Sequence, residues 1–244
     1  MDFWTTPVLD CPSGDEPMTA LVRLKDVSMG FASATDPGHV VLRDINLQLS
    51  AGECLGLVGR NGCGKSTLLR IMARIFAPTA GSVEWAEGVS ASLLTLGLGF
   101  KWDLSGRDNA FLSCLLMGLS RKEAKRALTD IEAFCELDQF FDEPVHKYSA
   151  GMRAKLGFGT ALMNRSRVML IDETLSVGDA FFREKARLAL EQEFTEHRAV
   201  VLVSHAEQQI ERLCHRALLL DQGRITAEGD PASVLAGYSA LTVT

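Results

Sequence analysis

The chain has 244 residues, 47% of them apolar and 23% charged, and a formal net charge of -6. That length allows one α/β domain with a sizeable core or two small ones, and the acidic balance excludes a generally basic surface for nucleic acid. The six cysteines (Cys11, Cys54, Cys63, Cys114, Cys135, Cys214) have no CxxC pair and no histidine at zinc spacing, so they read as reduced, partly buried thiols in a cytosolic chain and not as a cysteine metal site or disulfide framework.

In chain order, Met1–Ala20 has no basic residue and no apolar run, so it does not read as a secretion signal but as a mobile leader. Leu21–Ser28 and Val40–Leu49 alternate apolar and polar residues and predict strands, with a loop over Ala32–Gly38. Cys54–Val58 is a short apolar strand, and Lys65–Ile75 has helical spacing. Gly81–Leu96 predicts two strands joined at Glu87-Gly88. Asp108–Phe141 is predominantly helical, Pro144 interrupts it, and a helix resumes over Gly151–Met163.

From Arg167 onward strand and helix alternate: strands at Val168–Ile171, Ala199–Ser204, Ala217–Asp221 and Arg224–Glu228, helices at Ala180–Thr195 and Ala206–Leu213. Buried β runs separated by amphipathic helices imply a largely parallel sheet covered on both faces, with 104–165 as a helical insertion. No apolar stretch approaches the ~18 residues of a membrane-spanning helix. Work at a membrane would therefore require docking onto a partner that spans it.

Gly59-Arg60-Asn61-Gly62-Cys63-Gly64-Lys65-Ser66-Thr67 follows a strand and opens a helix. Its glycines let successive N–H groups face one anion, and the helix N-terminus adds partial positive charge. Lys65 can reach β- and γ-phosphates, Ser66 can hold Mg²⁺, and Thr67 can support the α-phosphate. An ordinary glycine turn before a helix does not require all these positions. Cys63 reads as a small tolerated side chain; a redox switch is the alternative.

The strand Val168–Ile171 ends in Asp172-Glu173. At the end of a parallel strand these carboxylates face the crevice where ligands bind, so Asp172 can orient Mg²⁺ and Glu173 can polarise the attacking water. Solvated turn acids are the bland alternative. His205 follows another such strand and can donate to a γ-phosphate. Phe31 can stack on a base or pack in a core, and its type alone does not decide.

With Tyr148-Ser149-Ala150-Gly151-Met152 and Asp179 added in order, the chain resembles an ATP-binding cassette domain over roughly residues 20–235. The family's signature, usually Leu-Ser-Gly-Gly-Gln, is matched at Ser149 and Gly151 and departs at Ala150 and Met152. Thr95 stands where the family usually has Gln touching Mg²⁺ and the attacking water. Ser176-Val177-Gly178-Asp179 departs from Ser-Ala-Leu-Asp.

The resemblance implies a P-loop α/β fold with a mostly parallel core sheet, an N-terminal antiparallel β part and an inserted helical subdomain. The implied division is 1–20 leader, 21–96 and 166–230 core, 97–165 helical, and 231–244 a short C-terminal helix. It also implies ATP and Mg²⁺ as ligands, Glu173 as catalytic base, His205 as switch, Phe31 on adenine, and Thr95 near metal and water. Ser149, Gly151 and Met152 would close on the γ-phosphate held by a second copy of the chain, with Asp179 in the loop joining the two sites.

The Leu96-Gly97-Leu98-Gly99-Phe100 segment, Leu104–Asn109, Ser149–Arg153 and Val177–Asp179 resemble the exporters of bacterial polysaccharides: O-antigen, capsule and teichoic acid. The implied setting is the cytoplasmic face of the inner membrane, peripheral, with two copies of an integral-membrane subunit, no nucleic acid, and membrane contact only through that partner. Phe100, Trp102 and Leu104 form a docking patch or pack within the insertion. Some O-antigen ATPases carry a C-terminal glycan-binding β-sandwich; this chain runs to Thr244 without room for one, so the expectation is that the membrane partner handles the polymer. A small-solute importer would carry Gln at position 95, soluble relatives generally have two cassettes or long insertions, and a P-loop kinase or GTPase has no use for Ser149–Gly151 and His205.

Overall fold

Cys54–Val58, the strand leading into the glycines, is β3 in the computed structural model and is buried along its whole length. The structure describes residues 19–33, 36–94, 99–163, 165–172, 179–193, 198–204 and 206–242. β3 lies inside a six-stranded sheet in the order β5-β6-β7-β3-β8-β9, with β5 at Ala91–Leu94, β6 at Val168–Asp172, β7 at Ala199–Val203, β8 at Arg216–Asp221 and β9 at Arg224–Gly229. β5, β6, β7, β3 and β8 run parallel, and β9 turns back antiparallel on β8. The near-continuous apolar runs of β6 and β7 are buried on both faces, as a parallel sheet covered by helices requires. Each such Val, Leu or Ile contributes about 1.5–3 kcal/mol.

A second sheet, antiparallel and in the order β2-β1-β4, is formed by β1 (Ala20–Ser33), β2 (Asp36–Ser50) and β4 (Ala80–Trp85). The predicted loop over Ala32–Gly38 is mostly strand: Phe31 pairs with His39 and Ser33 with Asp36. Antiparallel pairing supplies backbone partners regardless of side-chain polarity, so β1 and β2 outrun their hydrophobic alternation. Helix α1 spans Lys65–Met72, shorter than predicted. Arg74 takes φ 58°, with its guanidinium 4.2 Å from the Trp85 ring centroid and donating to the Val89 carbonyl.

Contacts divide the chain into two units. The unit just described takes its residues from Pro17–Leu94, Ser166–Glu173 and Glu193–Thr244, including helices α6 (Glu207–Leu213) and α7 (Pro231–Thr242). The other draws on Thr95–Arg165 and Thr174–Gln192. It contains α2 (Gly106–Leu116), α3 (Arg121–Cys135), α4 (Ala150–Leu162) and α5 (Ala180–Glu193), with 3-10 turns at Asp138–Asp142 and Val145–Lys147.

Ser105 caps α2, and Ser120 with Glu123 forms a capping box on α3. Phe134, Phe158 and Phe182, from α3, α4 and α5, pack with ring centroids 5.6–6.0 Å apart. This corrects the expected division at one element. α5 falls in the span 166–230 assigned to the core, but its Phe182 and Lys185 are committed to α3 and α4. Among the described residues, no helix is long and apolar enough to cross a membrane.

Candidate functional site

The loop Gly59–Gly64 joins the carboxyl end of β3 to α1, and its geometry follows from what surrounds it. A side chain at Gly59 would stand 2.2 Å from the Leu220 carbonyl oxygen of β8, so only a bare backbone fits there. Gly64 caps α1 with φ 113°, and a Cβ there would lie 2.7 Å from the Leu42 side chain on β2. Gly62 faces open space. No side chain caps α1 and no acid stands in its first turn, so its N–H donors and partial positive charge are left for an outside anion.

The Lys65 ammonium is buried within the loop, donating to the carbonyls of Gly59 at 2.7 Å and Arg60 at 3.0 Å. Ser66 and Thr67 are half-buried on the first turn, and Arg60 and Asn61 are exposed on the loop. Cys63 differs from its neighbours because its side chain belongs to the hydrophobic core beneath the loop. Burial pushes its thiol above the ordinary range, against the pull of the Lys65 ammonium. Any contribution of Cys63 to an anion would come from its backbone.

Asp172 closes β6 and pairs in register with Val203 of β7, which pairs with Leu57 of β3. Asp172 and the start of the loop therefore lie at the same edge of the sheet, on strands two spacings or about 10 Å apart. That edge carries a phosphate cradle, a buried ammonium, a hydroxyl and a carboxylate. The set fits a nucleoside triphosphate with Mg²⁺, the anion on the uncapped helix and a hard cation on oxygen ligands.

Phe31 on β1 is 41% exposed, with its ring edge-on to Phe76 at 5.7 Å. It is two residues beyond Met29, the β1 partner of the Leu42 that packs under Gly64. It thus stands near the loop with part of its ring uncovered. Thr95, Glu173 and His205 lie outside the described residues.

In the helical unit, Ser149 caps α4, its hydroxyl accepting from the Met152 amide at 3.2 Å. A Cβ on Gly151 would meet only the Ser149 hydroxyl, at 3.8 Å, so this first turn is open. Asp179 caps α5 by accepting from the Phe182 amide at 2.8 Å, and its other oxygen is 3.3 Å from the Lys155 ammonium. The Phe182 amide and the Lys155 ammonium hold the Asp179 carboxyl below the usual carboxylate range.

Two anchors of this region carried no assigned role in the sequence. Tyr148, buried before Ser149, donates to the Phe140 carbonyl at 2.6 Å and fills the space that a Cβ on Gly106 would occupy. Asn109 is 2% exposed; its amide donates to the carbonyls of Lys101, Leu104 and Ser105, and its oxygen accepts from the Lys101 amide. Asn109 holds the segment on which Trp102 and Leu104 are exposed, while Phe100 is half-buried. A polar residue on a predicted helix is the only hint the sequence held of this clamp.

Comparison with known proteins places the site in a family. The family model described as ABC transporter matches residues 42–176. The chain is 40% identical over 197 residues to the O-antigen export system ATP-binding protein RfbB of Myxococcus xanthus, covering 81% of this chain and 45% of that protein. It is 39% identical over 210 residues to the teichoic acids export ATP-binding protein TagH of Lactococcus lactis, covering 86% and 45%. The chain thus spans about half the length of these two relatives.

Against the RfbB protein of Klebsiella pneumoniae, identity is 38% over 200 residues, covering 82% of this chain and 81% of that one. Among solved structures, the dimeric cassette MJ0796 bound to ADP and Pi shares the fold, with a TM-score of 0.73 at 21% identity over 86% of this chain and 99% of that one. With the matched family model spanning the phosphate loop and Asp172, and these relatives beside it, the chain belongs to the ABC transporter family.

Proposed function

We propose that this chain is the ATPase of a bacterial exporter of lipid-linked polysaccharide, whether O-antigen, capsule or teichoic acid. The observation that carries the nucleotide half of this reading is the uncapped N-terminus of α1, with Lys65 folded into its loop and Asp172 at the same sheet edge. The export half is supported by relatives named for O-antigen and teichoic acid export.

In this reading the loop amides and Lys65 bind the triphosphate, while Phe31 stacks on adenine. Ser66 and Asp172 would hold Mg²⁺, with Thr95 nearby, and the ion would neutralise charge on the β- and γ-phosphates. Glu173 takes a proton from the attacking water, and His205 donates to the γ-phosphate. A second copy of the chain closes the site with Ser149, Gly151 and Met152 on its own open helix turn, and Asp179 links the two sites. The working partner is an integral-membrane subunit, and the chain acts at the cytoplasmic face of the inner membrane.

The test is Glu173→Gln. The variant should still bind ATP and dimerise but lose turnover by at least about 100-fold, the scale of a general base. Full ATPase activity in that variant would remove Glu173 from its role. Co-purification tests the export half: a membrane subunit carrying lipid-linked glycan should accompany the wild-type chain, and a partner carrying a small solute instead would overturn it.

A further inference from the structure

We propose that the tip of the α2–α3 hairpin is a membrane-contact surface that takes anionic phospholipid headgroups. Three exposed aliphatic residues close α2: Leu112, Leu116 and Met117, of which Leu116 is 81% exposed. Gly118 turns the chain at φ 91°, and α3 begins with Arg121, Lys122, Lys125 and Arg126, all exposed. Between Phe111 and Thr129 the one acid is Glu123, and its carboxylate is committed to Ser120 and Arg165.

Helix physics does not account for this placement. Cations are unfavourable in the first turn of a helix, where the macrodipole is already positive. α3 nevertheless places Arg121 and Lys122 there and Lys125 and Arg126 in the next turn, in a chain whose formal net charge is -6. None of the four makes an ion pair among the described residues. Their outward face is complementary to an anionic surface, and the neighbouring aliphatic side chains can enter the boundary between headgroups and acyl chains. A nucleic-acid surface would set aromatic side chains among the cations for base stacking, whereas the exposed apolar residues here are aliphatic.

This goes beyond the nucleotide reading and does not rest on it; it departs from the expectation of membrane contact only through a partner, adding a direct contact to any made through a membrane subunit. The experiment is vesicle flotation with the full chain, using phosphatidylcholine vesicles with and without phosphatidylglycerol, and ATP binding measured on the same samples. The chain should float with the phosphatidylglycerol vesicles and be released by high salt, as a screened interaction requires. Each cation removed should weaken partitioning about fivefold, so Lys122→Glu with Lys125→Glu should lower it at least about 25-fold. Leu116→Ser should lower it about tenfold, and ATP binding should be unchanged in every variant.

Equal flotation with both vesicle types, or none with either, overturns the proposal. So does undiminished flotation of the doubly reversed variant. Tip-dependent capture of heparin or an acidic peptide without vesicle binding would also overturn it, assigning the surface to a different partner.

Discussion

The N-terminus of α1 carries no side-chain cap and no acid in its first turn, whereas that of α4 is closed by the Ser149 hydroxyl. Both helices begin at motifs read as anion sites, and the difference shows what each can do without a ligand. The amides of α1 are held open by backbone packing on β2 and β8, with Lys65 turned inward onto its own loop. At α4 the hydroxyl that would meet a phosphate is already stabilising its own helix. An anion approaching α4 therefore finds the open turn at Gly151 and a serine whose acceptor is in use but whose proton is free.

The largest expected effect is at the open site. Lys65→Ala should weaken nucleotide binding about 100-fold, since a charge-assisted contact is lost where the ammonium was already desolvated; titration with a fluorescent nucleotide measures it. Wild-type affinity in this variant would mean that Lys65 stays on its loop carbonyls. Gly59→Ala should destabilise the fold by about 3 kcal/mol through overlap with the Leu220 carbonyl, read by denaturant unfolding. Gly62→Ala, in open space at φ 79°, should cost about 1 kcal/mol. Equal costs at the two glycines would show that the loop is not braced by β8.

The capped site should respond more gently and can be split into two functions. Ser149→Ala should lower stability by about 1 kcal/mol, or about 2–4 °C in Tm, while Ser149→Gly should cost only a few tenths. If both variants lose ATPase activity alike, the hydroxyl acts on phosphate as well as on the helix. If activity follows stability, Ser149 is a cap and nothing more.

The smallest effect concerns pH. The folded Asp179 carboxyl titrates below its unfolded value, so its contribution is present above the ordinary aspartate pKa near 3.9 and is lost as pH falls through the folded value. Asp179→Asn should remove that acid-side slope, lower stability slightly at neutral pH where the carboxylate's contribution is fully present, and leave no pH dependence of its own near neutrality. A new slope near neutrality would mean that Asp179 is paired with some other group.

Much of the fold was legible because its signals are local. Strands β3, β6 and β7 are short apolar runs that fall within a residue or so of their expected limits, and the glycine motif running from the end of β3 into α1 needed only its own nine residues. The ends of elements were less legible. α1 stops at Met72 because Arg74 leaves the helix for Trp85 and Val89, a contact with sequence-distant residues. Tyr148 against Gly106 was invisible for the same reason, and Asn109 against Lys101–Ser105, though local, was invisible because no periodicity marks a side chain that clamps an irregular loop.

By itself the sequence determined the phosphate loop, the alternation of strand and helix, and the family, since these depend on residue types at spacings of a few positions. Only the tertiary structure decided that β7 separates Asp172 from the loop strand, that α5 packs with α3 and α4, and that the Cys63 side chain turns into the core. Strand order and side-chain direction come from pairings between distant segments. Those pairings are selected by the apolar area they bury together, a quantity that belongs to no single stretch of chain.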